Sequence, residues 1–274
     1  MRLFFVCLRG DILARFCPLF SGSEGNSTYI SSDTTAVLVD AGVSYKSLKS
    51  AVSACGGDME KIKGVLITHE HSDHIKGLNT LIKATGIPVF ASAKTLEALS
   101  RLNAIPKDAK TVEIRSEDFG IGSITVRRFP TMHDCEGSSG YVFGFKSGVS
   151  AAVCTDLGVV TEEVRKALSG CKAVMIEANH NIEMLRSGPY PVQLKMRILS
   201  DKGHLSNNAC AAELPRLLKC GASRFILGHI SRKNNTPFLA LSSARAALAD
   251  INAEENSDYT LCAAAPSGNG VTLL

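Results

Sequence analysis

His69-Glu70-His71-Ser72-Asp73-His74 follows directly on an apolar, β-branched run, Val65-Leu66-Ile67-Thr68. Three imidazoles and a carboxylate packed this densely at the end of a strand call for a cation. Each neutral imidazole offers a nitrogen ligand, and Asp73 offers an oxygen of opposite charge to the metal. Alternation along an extended segment puts His69 and His71 on one side. A turn into a helix then brings Asp73 and His74 back from a second direction, an arrangement suited to two ions a few ångströms apart. A metal-affinity tag would be homopolymeric and terminal, and this stretch is neither.

The chain around this motif has 274 residues, 45% hydrophobic and 20% charged, an ordinary globular composition. Its net charge of +4 permits an acidic partner without demanding one. The nine cysteines include no C-x-x-C pair, and several sit in apolar runs, as Cys154 does after Val149-Ser150-Ala151-Ala152-Val153. That usage fits reduced thiols in a cytoplasmic protein. Leu3–Leu8 is apolar but only six residues long before Arg9 and Asp11, too short for a secretory signal core. Residues 1–13 are therefore expected to be an extension outside the main fold, which occupies 14–274. No stretch approaches a membrane-spanning length, so a membrane association is not expected.

Periodicity and turn signals divide the rest of the chain into alternating elements. Strands are expected at Arg15–Phe20, Thr28–Ile30, Ala36–Asp40, Pro88–Ala91, Ser123–Phe129, Gly140–Phe145, Val149–Cys154, Ala173–Ile176, Phe225–Leu227 and Tyr259–Ala263. Helices are expected from Ser44 to about Cys55, through Ile75, Leu78, Leu81 and Ile82, over Lys94–Leu102, from Thr161, over Asn207–Lys219 capped by Ser206, and from Thr236-Pro237. Polar residues recur at expected strand ends: Asp40, His69, Asp156, Glu177 and His229. A site built at one rim of a sheet has this pattern. Taken singly, His133, Asp156 and His229 read as turn or cap residues; together with residues 69–74 they become candidate ligands.

Asp40, His69-x-His71-x-Asp73-His74, His133, Asp156 and His229, in this order, resemble the motif set of the metallo-β-lactamase superfamily. The resemblance covers roughly residues 14 to 274. It implies an α+β fold, a four-layer α/β/β/α sandwich with two mixed β-sheets and a dimetal site at one edge. It further implies that His69, His71 and His133 hold one metal, that Asp73, His74 and His229 hold the second, and that Asp156 bridges them. Asp40 would stand behind a ligand histidine and orient it. Two divalent ions, zinc first and manganese second, would then generate a bridging hydroxide near neutral pH.

Asp156 stands near where classical β-lactamases of the superfamily carry a zinc-binding cysteine, which favours an ester or phosphodiester substrate. Glu177-Ala178-Asn179-His180 and Gly203-His204-Leu205-Ser206 resemble loops of RNase Z-type nucleases in which a carboxylate–histidine pair transfers protons. By that resemblance Glu177, His204 and Asp73 are the catalytic candidates, with His180 behind them. The strings Ser21-Gly22-Ser23-Glu24-Gly25-Asn26, His69–Lys76, Glu183-Met184-Leu185-Arg186 and Arg197-Ile198-Leu199-Ser200-Asp201 are similar to those of the YycJ/WalJ group. That bacterial group is associated with 5′-exonuclease activity on double-stranded DNA. Only 72 residues separate Asp156 and His229, too few for an RNA-clamping insertion. Grip on a nucleic acid, DNA in preference to RNA, is expected from Arg186, Tyr190, Lys195, Arg197 and Arg232. A hydrolase of a thioester, lactone or cyclic phosphodiester is the alternative, distinguished by a closed apolar pocket in place of a basic groove. Protein partners are not legible.

Overall fold

The computed structural model describes residues 14–267, 270 and 272–274. The expected 1–13 extension lies outside these residues. Fourteen strands among the described residues form two seven-stranded sheets. In the first, β1 (Arg15–Phe20), β2 (Ser27–Ser31) and β3 (Ala36–Val39) run antiparallel, and β4 (Ile62–Leu66), β5 (Val89–Ala91) and β6 (Thr111–Glu113) continue parallel to β3. In the second, β7 (Phe119–Ile121), β8 (Ile124–Pro130), β9 (Ser139–Gly144) and β10 (Ser150–Cys154) run antiparallel. β11 (Ala173–Glu177), β12 (Arg224–Gly228) and β13 (Thr260–Ala263) then continue parallel to β10. The short β14 (Thr272–Leu273) closes the first sheet against β1.

Alternation decides the layers. Phe16, Ile30, Val39 and Leu66 of the first sheet meet Val126, Tyr141, Phe143, Val153 and Ile226 of the second in a central core. The opposite face of the first sheet is covered by α1 (Tyr45–Ala54), α3 (Leu78–Thr85) and α4 (Ala93–Arg101) through Leu48, Val52, Leu78, Leu81 and Leu99. The opposite face of the second is covered by α5 (Glu162–Leu168), α8 (Asn207–Lys219) and α9 (Pro237–Ala249) through Val164, Leu214, Leu217, Ala244 and Leu248. Both faces of each sheet are therefore dry, giving an α/β/β/α sandwich of two mixed sheets. Ser44, Ser92, Thr161, Ser206 and Thr236 each accept a hydrogen bond from the third residue of the helix they open.

Three stretches differ from the sequence reading. The helical spacing from Ile75 to Ile82 is split into α2 (Ser72–Ile75) and α3. Gly77 lies at the break, where a Cβ would stand 1.8 Å from the Val43 carbonyl oxygen, so the backbones touch. The region 182–202 carries two helices absent from that reading, α6 (Ile182–Ser187) and α7 (Val192–Leu199). The short strands β6 and β7 are also absent from that reading; each has only three residues, and β6 is mostly exposed. No described helix is long and apolar enough to cross a membrane.

Candidate metal centre

The C-terminal ends of β3, β4, β10, β11 and β12 open on one rim, because the parallel pairs hold Val39 beside Leu66, Cys154 beside Ile176, and Glu177 beside Gly228. Asp40 and His229 immediately follow their strands and Asp156 comes one residue later, and each has a left-handed backbone, with φ of 63°, 60° and 52°. That conformation is uncommon for a residue with a side chain and costs on the order of 1 kcal/mol. It turns each side chain into the rim.

The rim collects the residues singled out in the sequence. Ligand atoms of His69, His71 and His133 lie within 4.8 Å of one another, as do those of Asp73, His74 and His229. His69, His74 and Asp156 form a further such group, and so do Asp156, Glu177, His204 and His229. Asp156 thus adjoins the first set through His69 and the second through His74 and His229, with Oδ2 3.5 Å from His74 Nε2 and Oδ1 3.2 Å from His229 Nδ1.

The buried imidazoles of the ligand groups are each held from behind by Nδ1. Asp40 Oδ2 lies 2.8 Å from His74 Nδ1, and Asp40 also accepts from the Thr68 amide and hydroxyl. The same Thr68 oxygen is 3.0 Å from His69 Nδ1. The Gly203 carbonyl accepts from His133 Nδ1 at 3.0 Å. Glu177 Oε1 lies 2.7 Å from His229 Nδ1 and 2.8 Å from His204 Nδ1, while Oε2 accepts from the amides of Leu157 and Leu205. An Nδ1–H spent in this way leaves Nε2 as a lone pair aimed inward.

Those inward atoms supply the test for a cation. His133 Nε2, His229 Nε2 and Asp156 Oδ2 are buried without a hydrogen-bond partner. Orphaned buried acceptors are costly unless a positive centre satisfies them. The donor set therefore fits divalent metal ions.

The electrostatics agree. Burial opposes ionisation of Asp156, but His229 and His74 outweigh it and hold the carboxyl well below the usual range. Burial likewise opposes charge on Glu177, and His204 beside it brings the carboxyl down to about 2. His69 is driven well below the ordinary imidazole value by burial and by the charge of His74, and His133 is lowered mainly by burial. His229 resists burial through Asp156, Asp73 and Glu177 and rises to about 10; His74 also rises, through Asp156 and Asp40.

A pH dependence of stability follows for chelator-treated protein. The raised His74 and His229 contribute fully below the unfolded value of 6.5 and lose that contribution as pH climbs, for His229 toward about 10. The depressed His69, His133 and His180 contribute fully above 6.5 and lose it as pH falls, for His180 toward about 4. Metal-free protein is expected to melt highest near pH 6.5, and saturating metal to move the maximum upward, because binding displaces protons. Calorimetry across pH 4 to 10 checks this; the same maximum with and without metal would refute it.

The remaining expected residues are placed as follows. His180 is buried behind the rim with neither ring nitrogen partnered. Arg197 pairs with Asp134, Lys195 donates to the Arg186 carbonyl, and Arg232 pairs with Glu24 at 2.7 Å. Lys233 sits 5.7 Å from the centre of the Tyr190 ring. Two residues at the centre were missed in the sequence. Asn26 Nδ2 donates to Asp73 Oδ2 at 3.1 Å and lies 3.1 Å from His74 Nε2. Asp134 lies 3.3 Å from His133 Nε2 and 3.5 Å from His71 Nε2. Asn26 ends the Gly/Ser loop, which reads as a connector; its place beside the DxH pair depends on Gly42, where a Cβ would stand 1.7 Å from the Asp73 carbonyl oxygen.

Comparison with known proteins agrees with this geometry. The beta-lactamase superfamily domain family matches residues 35–230. Exodeoxyribonuclease YycJ of Bacillus anthracis is 37% identical over 229 residues, 83% of this chain and 86% of that protein. Exodeoxyribonuclease WalJ of Streptococcus pneumoniae is 36% identical, covering 84% of this chain and 86% of its own. Among solved structures, the metallo-beta-lactamase fold protein YhfI from Bacillus subtilis superposes with a TM-score of 0.71 at 16% identity. It covers 95% of this chain and 99% of its own, a likeness of fold.

Proposed function

This chain belongs to the metallo-β-lactamase superfamily, and on that premise we propose that it is a dimetal exonuclease that removes nucleotides from a 5′ end of DNA. The observation that carries the reading is the pairing of two complete ligand groups with Glu177–His204 beside them. His69, His71 and His133 would hold one ion, Asp73, His74 and His229 the other, with Asp156 shared. Zinc suits these ligands first and manganese second. Bound ions would supply Lewis acidity, lowering the pKa of water and offsetting charge that develops at phosphorus.

The protein's own groups do the rest. Asn26 fixes the Asp73 carboxylate, which orients the attacking water. Glu177 holds Nδ1 of His204 and orients the ring, leaving Nε2 to protonate the oxygen that departs as the P–O bond breaks. Arg186, Lys195, Arg197 and Arg232, with Tyr190, would track the phosphates and a base. The unpaired thiols support a cytoplasmic setting.

Metal-reconstituted protein is expected to degrade end-labelled duplex DNA from the 5′ end in preference to RNA. Neutralising Arg186, Lys195 and Arg197 together should weaken DNA binding and flatten its log–log salt dependence by about 0.9 per lost phosphate contact. An unchanged slope would remove this surface from the binding site. Activity confined to thioesters or lactones would overturn the nuclease reading.

A further inference from the structure

We propose that α7 is a strand-separating wedge, an apolar helix face that packs on the terminal base pair of duplex DNA at the lip of the metal centre. The inference rests on the nuclease reading. Val192, Met196 and Leu199 are 71%, 66% and 43% exposed. Spaced four and three apart, they form one stripe on a helix. Ile198, off that stripe, is buried and anchors the helix to the protein. Six large hydrophobic residues are exposed among the described residues, and three of them make this stripe. A fourth, Met132 at 37%, precedes His133. Its carbonyl accepts from the Gly158 amide, and Gly158 in turn abuts Ser200 and Asp201 just past α7.

The helix is fixed to the reaction centre. The His204 amide donates to the Ile198 carbonyl and the Gly203 amide to that of Ser200, so the last turn of α7 carries the loop that presents His204. Arg197 pairs with Asp134, which adjoins His71 and His133. The stripe is thus carried by a helix whose last turn adjoins the metal centre.

Its surroundings specify the occupant. Lys195 and Arg197 lie on α7 itself, Arg186 and Lys202 flank it, and the helix has no acidic residue. An apolar strip edged with cations matches a ligand with flat apolar faces between rows of anions. Stacked bases between phosphate backbones have that chemistry. Proteins that kink duplexes insert Leu, Met or Ile side chains at a base step and unstack it at a cost in free energy. A packed apolar face offsets that cost and delivers one strand to the metals.

The test replaces Val192, Met196 and Leu199 together with serine in the metal-loaded, full-length protein. These side chains are exposed, so metal content and melting temperature should stay at wild-type values; Met196→Ser alone is the milder second variant. Digestion of blunt duplex DNA should fall by about tenfold or more. Digestion of a single strand, or of a duplex with an unpaired 5′ end, should stay within about twofold. A 2-aminopurine at the terminal pair, on DNA held uncut by a phosphorothioate, should brighten with wild type and with Met196→Trp but not with the triple variant. Equal losses on paired and unpaired ends, or unchanged fluorescence with wild type, would overturn the wedge while leaving the nuclease intact. So would a wild-type dimer that the triple variant dissolves, which would assign the face to a second copy of the chain. Failure of wild type to cut any nucleic acid would overturn the nuclease reading and the wedge with it.

Discussion

Replacing Asp156 with asparagine is expected to lower nuclease turnover by about 1,000-fold or more and to cut metal content from about two ions per chain to one or fewer. Losing a group behind a ligand costs about 10–100-fold, and Asp156 belongs to the ligand groups themselves. Its Oδ2 faces His74 Nε2 and Oδ1 faces His229 Nδ1 in one histidine set, and it groups with His69 of the other, so its charge adjoins both. Asparagine is the proper substitution because it keeps the volume and tolerates the left-handed backbone at this position, which alanine strains. Elemental analysis beside turnover checks both parts. Two tightly held ions together with wild-type turnover would show that Asp156 is not shared between them.

His204→Ala should lower turnover on DNA by about 100-fold or more with metal content unchanged. His204 is partly open to solvent, its side chain 16% exposed, with Nδ1 committed to Glu177. A proton donor needs that access. A phosphodiester with a nitrophenolate leaving group needs no proton, so its hydrolysis should suffer far less. Equal losses on DNA and on the activated ester would assign His204 to structure. Glu177→Gln is a harsher change, because the same carboxylate oxygen also holds His229, so both metal content and proton transfer should decline.

What was legible in the sequence was what is contiguous or periodic. His69 to His74 needs no tertiary contact to be recognised, and apolar runs such as Val149–Cys154 ending in a polar residue announced the rim strands. The order of ligands along the chain then carried the fold. Residues whose role exists only through backbone approach were hidden. Asn26 sits in a Gly/Ser loop and reaches Asp73 because Gly42 lets two main chains touch. Asp134 looked like part of a polar turn until the fold set it against His71 and Arg197. The helix α7 escaped because its most apolar stripe faces outward, while Pro189 and Pro191 before it read as a loop. The basic residues expected to be free were legible as charges, but their partners, such as Glu24 for Arg232, were not.

The left-handed backbones at Asp40, Asp156 and His229 set stability and activity against each other at the same three positions. Glycine adopts this conformation without cost, and it would also remove a buried charge or an orphaned nitrogen from the rim. Against that gain stand the partners left behind, because Asp40 and Asp156 balance His74, and His229 is held by Asp156 and Glu177. Engineering of this enzyme should hold these three residues constant and seek stability in the outer helices.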